Sequence, residues 1–235
     1  MLPTTLLPAT LPSAVNAAKL NALLRKTPST RVELPAPLAQ RDPVAVLVHS
    51  FLLWESTSAL ALEAFHRIQE SMVDFNDLRV SLPRELVDVI GSKYPRAEER
   101  VRRLRASLNE VFKREHAVRL PAAEGKRDIR TYVETLDGMV VPFVGARVLL
   151  QCFGVHGVPV DEQTRAVLAE HELCEAGTEL ADIAGMLARH VKAEQAEAAH
   201  ESLQALVDQG HAAEARPARR AAAKDGPRRS RGART

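Results

Sequence analysis

One carboxylate in this chain sits where it could do chemistry. Asp161 closes the segment Leu136–Asp161, LDGMVVPFVGARVLLQCFGVHGVPVD, after a turn at Asp137-Gly138, an apolar run ending at Phe153-Gly154, and Val158-Pro159-Val160. A lone carboxylate at a helix start can stabilise positive charge building up in a reacting group, and it can orient an attacking water. The same position also suits a helix N-cap, because Glu162-Gln163-Thr164 opens a helical run. Spacing alone favours the cap.

Other reactive residue types lack company. His49, His66, His156 and His171 share no ligand-like spacing, and Glu170-His171-Glu172 reads as a solvated helix end, so no metal and no cofactor is expected. No serine has the surroundings of a nucleophile elbow. Cys152 and Cys174 are the only cysteines, which excludes a disulfide framework and a four-cysteine iron–sulfur or zinc site. Two buried thiols in a cytoplasmic protein are the expectation. Phe51 and Trp54 read as core, and Arg100, Arg102, Arg103 and Arg105 as a solvated helix face.

The elements that must position Asp161 are helices. Hydrophobic residues make up 46% of 235 residues, aromatics 4%, and glycine is scarce, a balance that favours an all-α chain. That length allows one large domain or two interlocked lobes. The chain has no apolar run long enough to span a membrane, and its N-terminus, broken by prolines, does not read as a signal peptide. Asp42-Pro43 opens an apolar helix over 43–56, and Thr57 or Ser58 caps the next, with Leu60, Leu62, Phe65, Ile68 and Met72 inward. Pro83 starts a short helix that Gly91 stops. After Tyr94-Pro95, Val101, Leu104, Leu108, Val111 and Phe112 mark a long helix, with Arg100, Arg103, Asn109, Glu110 and Lys113 on its other face. Further helices are expected at 128–135 and near 161–172, 178–190 and 193–208. No strand and no internal repeat is expected.

Charge is unevenly spread. From His211 onward eight basic residues face two acids, so the tail carries +6 and residues 1–210 carry −4 of the total +2. Rich in Ala, Arg, Gly and Pro, residues 211–235 are expected to be disordered, either as an arm that grips phosphates or as a solubilising tail.

Five local matches, in order from about Val44 to Gly210, resemble the helix-hairpin-helix DNA glycosylase superfamily, the endonuclease III-like fold. Leu52-Leu53-Trp54-Glu55-Ser56-Thr57-Ser58 resembles the family's I/L-L-S-Q-Q-T-S at its base-flipping edge. Ile90-Gly91 with Tyr94-Pro95-Arg96-Ala97 resembles I-G…Y…K-A, and Leu136-Asp137-Gly138 resembles the L-P-G that opens the hairpin. Phe153-Gly154 through Val160-Asp161 resembles F-G…V-D, and Ala199-His200-Glu201-Ser202-Leu203 with Gly210 resembles H-x-x-L…G. The resemblance implies a central lobe over 43–154, ending in the hairpin at about 136–153, and a C-terminal lobe over 155–210. Residues 1–42 would form an extension partly packed on the C-terminal lobe.

It further implies a base-excision-repair protein that binds double-stranded DNA as a monomer, in the cytoplasm at the nucleoid and with no membrane. Asp161 would be the catalytic carboxylate and Glu55 and Ser56 the flipping edge. Gly138, Met139, Val140, Val141 and Arg147, with Arg219, Arg220, Arg228 and Arg229 of the tail, would be the DNA contacts. The sequence departs from the family in its hairpin, where a glycine is lost and Pro142 gained. The lysine that attacks the sugar in bifunctional members would fall near Pro142-Phe143-Val144, and no lysine occurs between Lys126 and Lys192. The expected activity is therefore that of a monofunctional, metal-free glycosylase. A catalytically inactive module of the same fold, binding DNA or a protein through its apolar hairpin loop, stays open beside it. If the tail grips phosphates, removing residues 211–235 weakens duplex binding. It also flattens the plot of log K against log salt by about 0.9 for each phosphate that the tail had neutralised. Anisotropy titrations across salt concentrations measure this, and an unchanged slope would exclude the tail from DNA binding.

Overall fold

The computed structural model describes residues 15–27, 33–122 and 125–224, with backbone alone at 15–16 and 213–224. The described residues form twelve α-helices and one short 3₁₀ turn, with no strand. The helices are α1 (Val15–Lys26), α2 (Ala36–Ala39), α3 (Pro43–Leu53), α4 (Ser58–Ser71), α5 (Phe75–Val80), α6 (Pro83–Ile90), α7 (Ala97–Glu115), α8 (Lys126–Glu134), α9 (Pro142–Phe153), α10 (Glu162–Glu170), α11 (Leu180–His190) and α12 (Ala196–Lys224). None is long and apolar enough to cross a membrane. The expected all-α class is what the chain adopts.

Local chemistry sets the helix starts. The Asp42 carboxylate accepts from the Ala45 amide at 2.8 Å with Pro43 at the first helical position, and Thr57 Oγ1 accepts from the Leu60 amide at 3.3 Å. Pro83 opens α6, where Glu85 reaches back to the Leu82 amide at 3.1 Å, and Gly91 ends it at φ +102°. The short helices α2 and α5 and the N-terminal α1 carry too little periodicity to be seen in the sequence. The last helix departs most from expectation. Its backbone continues helical through residues 211–224, where disorder was expected, because Ala, Arg and Glu have high helix propensity. Residues 225–235 lie outside the described residues.

Two apolar cores result. The first gathers α3, α4, α6, α7, α8 and α9, and every residue of α3 from Val44 to Leu53 is buried, so α3 is its central post. The second joins Val158 and Val160 to α10, α11 and α12, and it takes in Leu20 of α1 and Leu150 of α9. The first and last helices, α1 and α12, thus both build the second core, and α9 contributes to both cores.

A central post that ends inside the protein leaves carbonyls without helical donors. Arg100, whose type suggested a solvated face, is fully buried and supplies them. Its Nη1 donates to the carbonyls of Phe51 and Leu52, and its Nε and Nη2 donate to that of Pro95 at 3.2 and 3.1 Å. The rings of Trp54 and Tyr94 flank the guanidinium at 5.4 and 5.0 Å, and Tyr94 Oη donates to Leu52 O at 2.8 Å. Arg100→Ala should therefore destabilise the fold by about 3 kcal/mol, since it strands several buried carbonyls. Arg100→Lys should recover only part of that, because an ammonium lacks the planar fork. Urea denaturation tests both, and wild-type stability for Arg100→Ala would refute the role.

Candidate functional site between the lobes

Asp161 is buried, and its two oxygens face different lobes. Oδ1 accepts from the Thr164 amide at 2.9 Å and from Thr164 Oγ1 at 2.8 Å, which caps α10. Oδ2 accepts from the Glu55 amide at 2.8 Å, in the turn that follows α3. Glu55 has φ +47°, a left-handed conformation that costs a non-glycine residue about 1 kcal/mol or more and needs such an anchor. One carboxylate thus performs the capping that spacing suggested and also holds the 54–58 segment.

That segment is pinned along its length. The Glu55 carboxylate pairs with Arg96 at 3.0 Å; burial raises its pKa, and the Arg96 charge opposes the rise. Arg96 stacks over Trp54 at 5.2 Å. Ser56 is buried with its Oγ 3.2 Å from Tyr94 Oη, and its carbonyl accepts from Gln204 Nε2 at 3.1 Å. Ser58 N donates to Asp208 Oδ1 at 2.9 Å. Of the two residues expected at a flipping edge, Ser56 therefore faces the interior, and Glu55 is half-covered with its charge matched by Arg96.

The 135–141 turn joins α8 to α9. Gly138 has φ +81°, and a Cβ there would lie 2.4 Å from the Arg103 carbonyl, so only glycine lets the turn approach α7 this closely. Ser107 Oγ donates to the Asp137 carbonyl at 2.7 Å at the same junction. Met139 and Val141 are buried, whereas Val140 is 75% exposed. Only Val140 of the expected hairpin contacts offers its side chain to solvent, because the other two apolar side chains pack into the first core. Arg147 needs a larger correction. Expected among the DNA contacts, it is buried in the middle of α9 and not on the surface of the turn. Arg219 and Arg220 lie on the α12 backbone, with side chains outside the described residues, as are Arg228 and Arg229.

Arg147 instead faces a cavity of about 490 Å³ bounded by α3, α4, α9, α12 and Leu34. Its Nη1 donates to Ser50 Oγ at 2.9 Å, while Nε finds no partner among the described residues. Burial pushes its pKa down to about 10, so it stays charged at neutral pH. His49 and His200, both buried, line the same space. Burial, with Arg147 adding to it, holds His49 well below its ordinary pKa and His200 at about 3, so both rings are neutral. His49 Nδ1 is also unpartnered, and the His200 ring packs edge-on to Phe143 at 5.8 Å. Sequence reasoning passed over His49, His200 and Gln204 as cavity residues. The available signal was a lone Arg147 in the apolar PFVGARVLLQCF and a lone His49 in PVAVLVHSFLL. Asp161 does not line this cavity, but the Leu53–Ser58 segment that it holds does at both ends. Among the described residues no group of three or more His, Cys, Asp or Glu is placed to hold a metal ion.

No family model matches the chain, and no curated protein sequence does. Solved structures do. A trapped endonuclease III–DNA covalent intermediate, an estranged-adenine complex, is similar at TM-score 0.62 and 19% identity over 80% of this chain and 82% of the other. A non-covalent endonuclease III–DNA complex gives 0.61 and 19% over 79% and 80%. A thermostable thymine-DNA glycosylase gives 0.58 and 17% over 82% and 84%. The expected all-α, endonuclease III-like fold is therefore the fold of this chain.

The buried histidines fix an acid response. An unfolded His200 titrates near 6.5 but the folded one only at about 3, so between these values the unfolded chain binds the extra proton. Stability then falls as pH drops through that window, by at most about 1.4 kcal/mol per pH unit for one histidine. Replacing His200 by Gln should shrink the stability difference between about pH 7 and pH 5 by roughly 2 kcal/mol. Urea denaturation at the two pH values measures it, and an unchanged difference would mean that His200 is not held neutral.

Proposed function

We propose that this protein is a DNA-binding base-excision protein of the monofunctional glycosylase type, receiving an extruded nucleobase in the cavity between its lobes. The observation that carries the reading is the Asp161–Glu55 link. It ties Asp161, a buried carboxylate at the lobe junction, to the 53–58 segment that borders the cavity. Two of the similar solved structures are complexes of endonuclease III with DNA. In this reading the 138–143 turn meets the phosphodiester backbone. Val140, which is exposed in that turn, presses against a sugar.

Extrusion takes the nucleotide out of the stack, and the base enters the cavity. The bond between C1′ and the base nitrogen then breaks, its electron pair leaving with the base. Positive charge on the sugar is stabilised by the Asp161 carboxylate, whose Oδ2 accepts only one hydrogen bond and keeps a lone pair. Water bonds to C1′ and loses a proton, while the departing base takes one up. The resemblance puts the lysine nucleophile of bifunctional members near Pro142-Phe143-Val144, and no lysine occurs between Lys126 and Lys192, so no Schiff base forms and the strand is left uncut.

Incubation with duplexes carrying deaminated, oxidised or alkylated bases should release free base without strand scission. Asp161→Asn should slow that release by about 10²- to 10⁴-fold. Equal rates for wild type and Asp161→Asn on every lesion would refute the catalytic role. Salt-dependent duplex binding without release from any lesion would leave a non-catalytic DNA-binding module.

A further inference from the structure

Arg147 is a buried cation whose hydrogen-bonding capacity is mostly unused. A guanidinium carries five N–H donors, and buried cations are ordinarily paired with a carboxylate or surrounded by acceptors. Among the described residues Arg147 makes one hydrogen bond, to Ser50 Oγ, and no ion pair. The Ser50 hydroxyl is itself committed to the Val46 carbonyl at 2.6 Å. Directly beside this cation, His49 lines the same cavity, with its Nδ1 enclosed and without a partner among the described residues.

The carboxylates of the lining do not complete Arg147. Asp208 Oδ1 already accepts from Ser58 N and Gln204 Nε2, and Glu201 is exposed, where water screens its charge. Gln204 has spent its amide hydrogens on Ser56 O and Asp208, which leaves its carbonyl oxygen as an acceptor. No Phe, Tyr or Trp is among the described lining residues. A cationic base would therefore meet a buried positive charge with no π-face to offset the repulsion.

We infer that the cavity selects neutral, carbonyl-rich bases, of the kind that deamination produces, and rejects cationic N-alkylated purines, with Arg147 as the residue that sets the preference. This rests on the proposed reading of the cavity as the base site. The free Arg147 Nη2 hydrogens would donate to one or two carbonyl oxygens. His49 and the Gln204 carbonyl would meet the ring N–H that accompanies a carbonyl in uracil, hypoxanthine or xanthine. A buried charge-assisted hydrogen bond of this kind separates bases that have the acceptor from those that lack it by about tenfold or more.

The test is equilibrium binding of the full chain to duplexes holding a single 2′-fluoroarabino nucleotide, whose glycosidic bond resists cleavage. Uracil, hypoxanthine, xanthine and 3-methyladenine, a cationic base without a carbonyl, serve as the bases. Wild type should bind the three carbonyl-bearing duplexes about tenfold or more tighter than the 3-methyladenine duplex. Arg147→Met should compress that ratio to within about threefold, and Arg147→Lys should restore part of it. Thermal unfolding confirms that the variants are folded. Tightest wild-type binding to 3-methyladenine would overturn the inference without any variant, and so would a ratio unchanged in folded Arg147→Met. If Asp161-dependent base release persists while the ratio fails, the glycosylase reading stands and the selectivity inference falls. If wild type neither releases nor discriminates any base, both fall.

Discussion

The architecture depends on how α3 ends. A helix buried on all sides terminates in the interior, and its last carbonyls have no water to turn to. Arg100 answers this from α7 with a planar fork that reaches Phe51, Leu52 and Pro95 together, while Tyr94 adds a second donor to Leu52. Once the carbonyls of the last turn are taken, the chain can leave the helix sharply, and the 54–58 segment starts from a fixed point. Asp161 then catches the Glu55 amide, a donor that the left-handed turn withdraws from the helix. The two lobes are therefore joined by polar groups left over from ending one apolar helix, and the cavity lies alongside that joint.

Much of this was legible in the sequence, because it follows from local chemistry. Asp42-Pro43, Thr57, Pro83 with Glu85, and Gly91 fix helix boundaries through caps and φ restrictions that need no tertiary information. The frame from Leu136-Asp137-Gly138 through Phe153-Gly154 to Val160-Asp161 also folds where its spacing implies, with Gly138 pressed on α7 and Asp161 at the start of α10. Short α2 and α5 escaped notice because fewer than two turns give no period to read. The helical continuation over 211–224 was hidden by composition, since a charged, alanine-rich stretch satisfies both a disorder criterion and a propensity criterion.

Arg100 was misplaced for a different reason. It stands four residues before Leu104 and eight before Leu108, on the buried stripe, so periodicity placed it inward while residue type placed it outward. Type prevailed, because an arginine is almost never fully buried unless paired. Its partners are backbone carbonyls contributed by α3 and by the residue before Arg96, and nothing in the local sequence announces them. Arg147 was placed at a DNA contact for the same reason, by residue type against its burial in α9, and the lone His49 of α3 gains meaning only when α3 and α9 are packed side by side.

Comparing the two buried arginines separates structure from function. Arg100 uses its donors on protein carbonyls, and its environment is complete without anything else. Arg147 is as deeply enclosed, yet among the described residues it has a single hydroxyl for company and an open cavity beside it. An apolar residue of similar volume would pack there with no desolvation penalty, so stability does not explain the charge. The same holds for a neutral His49 with an idle ring nitrogen on a helix that is otherwise core. Unsatisfied polar groups tolerated together in one interior space mark a place where the missing partners arrive with a ligand. By that reasoning the α3–α9 face of the cavity carries recognition, and the Asp161 joint fixes the geometry of its edge.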